Sequence, residues 1–248
     1  MALIFSSAIF IFGLIIGSFL NVVIYRYGTG YTLGGRSGCL ICGRELRWFE
    51  LVPLFSFALQ LGRCRTCSSR ISWQYPLVEL ATALLFLASF WRYGLVFNPM
   101  MIVDWLILSL LLVIAVYDGR HKIIPDPFVY GFVVIALLQA VWRGQPTPAV
   151  VTGLALFAFF WLLWFASRGR WLGFGDAKLV LGFGFFLGPA ALSAVIIAFW
   201  LGAAVGLALI GLKGYKMKSE VPFAPFLIIG AALVYLFNFD VISLVSFL

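Results

Sequence analysis

Uncharged apolar runs dominate this chain, and turn signals separate them at fairly regular intervals. Together they predict helices near 2–25, 73–92, 100–117, 127–142, 147–167, 176–188, 190–212 and 222–247. The stretch 179–212 has no charge at all. As one helix it would be about 51 Å long, against a hydrocarbon core of about 30 Å. Gly188-Pro189 is the place to break it. The first half is then short, so Asp176 is expected somewhat inside the cytoplasmic boundary. Ala2 to Tyr25 is long enough to span a bilayer. No basic residue precedes it and no small-residue cleavage pattern ends it before Arg26, so it reads as a retained helix rather than a removed signal peptide. Residues 26–72 differ, carrying seven arginines, all four cysteines and many glycines. The expected organisation is a first transmembrane helix (1–25), a cytoplasmic cysteine loop domain (26–72) and a membrane-embedded domain (73–248). No repeat or low-complexity tail is evident.

Composition sharpens this into a class. The chain is 64% hydrophobic and 10% charged, with a mean hydropathy of +1.10. A soluble domain carries roughly a quarter charged residues. The expected fold is an all-α polytopic membrane protein of about eight transmembrane helices with a small cytoplasmic zinc-binding loop domain. The net charge of +8 reads as topology rather than nucleic-acid binding, because no aromatic-interleaved basic stretch accompanies it. With the N-terminus outside, fifteen of the seventeen Lys and Arg fall on the cytoplasmic side. Only Arg92 and Arg143 do not. If the short sixth helix did not cross, Lys213, Lys216 and Lys218 would be stranded outside.

The cysteines form two pairs, Cys39-x2-Cys42 and Cys64-x2-Cys67. Such paired knuckles can set four thiolates tetrahedrally around Zn2+. The alternative is two disulfides, which a reducing cytosol disfavours. Four protein ligands make a closed site, structural rather than catalytic.

The acids number nine, and each is costly near a membrane. Asp118 ends the third predicted helix, facing the negative end of the dipole. Its bland reading is a solvated turn residue beside Arg120 and Lys122. Asp176, in Gly173-Phe174-Gly175-Asp176-Ala177-Lys178, opens the sixth helix, where an N-cap is the bland reading. Asp126 reads as a cap of the fourth helix, Asp104 and Asp240 as outer interface residues, and Glu79 as a contact buried among helices. Lys178 either snorkels to the surface or serves the nearby Asp176. His121 reads as a surface residue. As a pair, Asp118 and Asp176 both fall at cytoplasmic helix ends. Two carboxylates held close do not both ionise easily. One can act as base on water and the other as acid toward a scissile carbonyl, the chemistry of an aspartic protease.

The segment Gly17-Ser18-Phe19-Leu20-Asn21-Val22-Val23-Ile24-Tyr25-Arg26 resembles the N-terminal signature of the type IV prepilin peptidases, GxGD membrane aspartyl proteases. So do the paired cysteines, Gly62-Arg63-Cys64-Arg65 and Tyr75-Pro76-Leu77-Val78-Glu79. The stretch Asp118-x6-Pro125-Asp126, the GxGD motif with Lys178, and Pro222-Phe223-Ala224-Pro225-Phe226 complete an ordered set across almost the whole chain. The resemblance implies a bacterial inner-membrane enzyme with Asp118 and Asp176 catalytic and Gly173, Gly175 and Lys178 supporting them. Its implied substrates are type IV prepilins and type II secretion pseudopilins, cut after a Gly that ends a basic leader. Many such enzymes then methylate the new N-terminus with S-adenosylmethionine. This chain has no Rossmann-type fingerprint, so the candidate cofactor contacts are Gly62, Glu50 and Glu79. Their alternatives are a turn glycine, a surface acid and a helix–helix contact. The chain departs from its relatives at Tyr27-Gly28-Thr29-Gly30, where a proline is common. The substrate helix is expected to pack among the enzyme's helices, and Gly13, Gly17, Gly202 and Gly206 suggest close contacts or plain structural packing. Two other readings stand beside this one: a peptidase without methyltransferase activity, and a membrane scaffold or transporter. Acids clustered at one face rather than at mid-membrane disfavour a transporter.

Overall fold

The computed structural model describes residues 2–213 and 221–239. Lys216, Lys218, Glu220, Asp240 and the end of the last expected helix lie outside the described residues. The helices are α1 (Ala2–Arg26), α2 (Phe55–Leu59), α3 (Gln74–Arg92), α4 (Pro99–His121), α5 (Asp126–Trp142), α6 (Pro146–Ser167), α7 (Phe174–Leu187), α8 (Ala191–Lys213) and α9 (Ala224–Phe237). Among the described residues there is no strand, only two isolated bridges in the cysteine loop. Among the described residues, five stretches are long and apolar enough to cross a membrane: α1, α3, α4, α6 and the run Phe174–Leu212. The last contains α7 and α8, broken at Gly188 (φ 61°) and Pro189, where the sequence places the break. The chain is an all-α polytopic membrane protein.

It folds as two compact units, Met1–Trp105 and Leu106–Leu248. In the first, α1 lies along α3. A Cβ added at Gly13 would sit 2.6 Å from Ala83 Cα, and one at Gly17 2.6 Å from Glu79 Cα. Any larger residue there forces the two backbones apart. Just below, buried Asn21 donates from Nδ2 to Tyr75 O (3.1 Å) and accepts from Gln74 Nε2 (3.3 Å). These bonds tie the end of α1 to the start of α3. Gly202 makes only ordinary contacts with Phe223 and Phe226, and Gly206 meets open space, so close packing explains neither. Phe86, Phe90, Met101 and Trp105 form an apolar cluster. Asp104 adjoins it, fully buried, and accepts a 2.6 Å hydrogen bond from Tyr93 Oη.

In the second unit α7 is the central element. Ala177, Leu179, Val180 and Phe183 are completely buried. α7 packs against α5 through Phe183 and Phe132 (ring centroids 5.7 Å) and against α9 through Phe186 and Tyr235 (5.0 Å). Gly184 and Gly153 bring α7 and α6 into backbone contact. A helix only 14 residues long thus has neighbours on several sides, which holds its first turn in place.

Candidate active site and cysteine centre

α4 runs to His121, so Asp118 lies inside its last turn rather than after it. Lys122, in the left-handed region (φ 54°), closes the helix, its N–H bonding Asp118 O at 2.7 Å. Asp118 is only 5% exposed. α7 begins at Phe174, with Gly173 extended before it as the N-cap. Asp176 is therefore not the cap. It stands in the first turn, and its Oδ2 accepts the Gly173 N–H at 3.1 Å. This follows from the helix starting two residues earlier than the charge pattern suggests. Asp176 is 6% exposed and within electrostatic reach of Asp118. The Ala224 amide, at the start of α9, points toward the Asp118 carboxylate. Asp118 Oδ2 is buried and accepts no hydrogen bond among the described residues. A buried carboxylate oxygen with no donor is expensive unless something binds there.

Two contacts join the α4–α5 turn to the start of α7. A Cβ added at Gly175 would lie 2.8 Å from Ile124 Cβ, so Gly175 is where the turn closes on α7. Asp126 is paired with Lys178 and makes no side-chain cap of its own helix, whose N-cap is Pro125. Lys178 does not snorkel freely, since its side chain is 12% exposed. Neither the Ile124 contact nor the Ala224 amide was foreseen; the Pro-Phe-Ala-Pro-Phe stretch was the one available signal for the latter.

The cysteine loop contains a repeat invisible in the residue types. Cys39 N bonds Arg44 O (2.8 Å), Gly43 N bonds Cys39 O (2.9 Å), and Leu46 N bonds Ser37 O (2.8 Å). Cys64 N to Ser69 O (2.9 Å), Ser68 N to Cys64 O (2.9 Å) and Ile71 N to Gly62 O (2.7 Å) repeat that scheme. Gly43 and Ser68 both take positive φ, at 70° and 56°. The four sulfur atoms lie within 4.8 Å of one another, and Cys39 Sγ is 3.7 Å from Cys67 Sγ. Zinc–sulfur bonds of about 2.3 Å in a tetrahedron require sulfur separations of about 3.8 Å, so the four cysteines can hold a metal ion. Backbone amides, first of Cys42 and then of Ile41, bring the Cys39 thiol down to about 6. Those of Cys67 and Thr66 lower Cys64. The first cysteine of each knuckle is thus favoured as a thiolate, the form that ligates metal, while burial and the neighbouring Cys39 and Cys67 push Cys42 up to about 11.

Charged and glycine residues in and around this loop brace it. Glu50 is buried rather than a surface acid, with Arg44 holding both its oxygens (3.0 and 2.8 Å) and the Arg47 N–H bonding Oε2 at 2.9 Å. Arg44 first, with the Arg47 amide behind it, holds the Glu50 carboxyl down to about 2. Glu79 Oε2 accepts the Leu54 N–H at 2.8 Å. Gly62 (φ 67°) sits under Phe57, whose ring would be 3.1 Å from an added Cβ. Arg26 donates to the carbonyls of Thr32, Leu33, Gly34 and Arg36. That claw shapes the segment from Thr32 to Arg36.

A family model described as "Type IV leader peptidase family" matches residues 105–237, and one described as "Bacterial Peptidase A24 N-terminal domain" matches 11–93. Among similar curated proteins is the "Prepilin leader peptidase/N-methyltransferase" of Bacillus subtilis, 35% identical over 96% of this chain and 96% of its own length. The protein of that name from Pseudomonas putida is 31% identical over 93% and 90%. The "Type 4 prepilin-like proteins leader peptide-processing enzyme" of Escherichia coli is 35% identical over 90% and 91%. No solved structure matches.

Proposed function

Because this chain belongs to the type IV leader peptidase family, we propose that it removes the basic leader of type IV prepilins and type II secretion pseudopilins after a Gly, then methylates the new N-terminus. It is a multi-pass protein of the inner membrane. The buried, donor-free Asp118 Oδ2 beside Asp176 carries the peptidase reading. One carboxylate takes a proton from water as the water oxygen bonds the scissile carbonyl carbon. The other donates its proton to the carbonyl oxygen. Collapse of the tetrahedral intermediate breaks the C–N bond: the first carboxyl gives its proton to the departing amine, and one hydroxyl proton of the intermediate returns to the second carboxylate, restoring both groups. The Gly173 amide holds Asp176 oriented through this cycle. We assign the roles of the two aspartates as a pair.

The cysteine centre takes Zn2+ held by Cys39, Cys42, Cys64 and Cys67, supported by the thiolate-favouring amides and the sulfur spacing. It stabilises the loop. S-adenosylmethionine, when bound, supplies the methyl group. Glu50, Glu79 and Gly62 are each engaged in contacts within the first unit. That supports bracing of the methyltransferase part over direct contact with the cofactor. The charge distribution supports a periplasmic N-terminus, with the loop and the aspartates at the cytoplasmic face.

The test is the mass of a prepilin N-terminus after incubation with purified enzyme and S-adenosylmethionine, with Asp118→Asn as control. Leader loss plus one methyl group, absent in the control, is expected. Leader loss without methylation would leave a peptidase alone. Normal cleavage by the control would overturn the catalytic assignment.

A further inference from the structure

Asp118 and Asp176 sit on different helices, and their separation needs something to fix it. From Asp118 the chain passes Lys122 in the left-handed region and Pro125, then reaches Asp126 at the first position of α5. From Asp176, in the first turn of α7, the helix leads two residues on to Lys178. The Lys178 ammonium is paired with Asp126 Oδ1. It also lies over the rings of Tyr130 (5.2 Å) and Phe174 (5.3 Å). An ammonium so little exposed has lost most of its hydration, and a carboxylate with two ring faces replaces it. The Asp126 side chain is 57% exposed, which puts the pair at a water boundary. The chain from Asp118 to Asp126, the ion pair and the backbone from Lys178 back to Asp176 form one continuous link between the two aspartates. Ile124 against Gly175 is a second strut beside that link.

We propose that Asp126 and Lys178 are positioning residues that set the separation of Asp118 and Asp176. This rests on the catalytic reading of the two aspartates. The reaction requires both carboxylates on one water and one carbonyl, and a displacement of about 1 Å costs roughly 10²-fold in rate. The pair itself touches neither reactant.

The experiment measures kcat and KM of the purified full-length protein on a prepilin, for the wild type, Lys178→Met, Asp126→Asn, the double variant and Lys178→Arg. Each single change should lower kcat about 10-fold or more and leave KM within about twofold. The double variant should fall no further than the worse single, since both break one link. Lys178→Arg, which keeps charge and ring stacking, should recover much of the rate. Singles with near-normal kcat, losses that multiply in the double, or a rise in KM alone would overturn the proposal. If Lys178→Met fails to fold, the exchange Asp126→Lys with Lys178→Asp decides, against either change alone. Restored cleavage upholds the link, and none from folded protein refutes it. An inactive wild type, or an active Asp118→Asn, would instead refute the catalytic reading.

Discussion

Asp118 stands at the negative end of a helix dipole, where a carboxylate is unfavourable, while Asp176 stands at the positive end of another, where it is favoured. A residue kept in the unfavourable place, buried and with a donor-free oxygen, has a use other than stability. The motifs around both aspartates were legible in the sequence. Their burial was not, because it depends on elements such as α9 that arrive from far along the chain. Nor was the need for Gly175, whose missing Cβ lets Ile124 close on α7. Gly175→Ala is expected to cost about 1–3 kcal/mol through overpacking and to lower kcat about 10-fold. Adding Ile124→Ala removes two of the three atoms in the way and should recover part of both. Thermal unfolding and cleavage rates on the two variants check this, and an unaffected Gly175→Ala would mean the turn has room to give.

At the scale of elements, the two knuckles show what spacing conveys and what it hides. Four cysteines at CxxC spacing pointed to a metal ion. The repeated hydrogen-bond scheme stayed hidden because backbone groups make it, and because its left-handed position is Gly in one copy and Ser in the other. Glu50 could not be separated from an ordinary surface acid by sequence, since its partner Arg44 acts only once the first knuckle has turned the chain back. Its depressed value has a definite pH signature. The Arg44 pair stabilises the loop fully above the ordinary carboxylate value of 4.5 and loses this as pH falls through about 2. We therefore expect about one zinc per chain in the wild type, and weaker retention against a competing chelator in Glu50→Gln. That difference should stay constant from about pH 7.5 to 5. A gap that closes within this range would show that another group carries it.

For the whole molecule, the placement of charge predicts that reporter fusions after Lys122 read as cytoplasmic and after Gly144 as periplasmic. Reversal at either point would invert the topology. Unlike the short α2, the long apolar helices, the break at Gly188-Pro189, the clustering of the four cysteines and the two aspartate motifs were legible in the sequence. Each depends on composition or spacing over a short stretch, where local sterics and the bilayer's thickness do the selecting. The tertiary structure decided which glycines bring helices together: Gly13 and Gly17, but not Gly202 and Gly206. It turned Asp126 from a cap into the partner of Lys178, and enclosed Asp104 completely. It also left one oxygen of Asp118 without a donor among the described residues. These outcomes depend on which side chains meet across helices distant in sequence, and only packing specifies that.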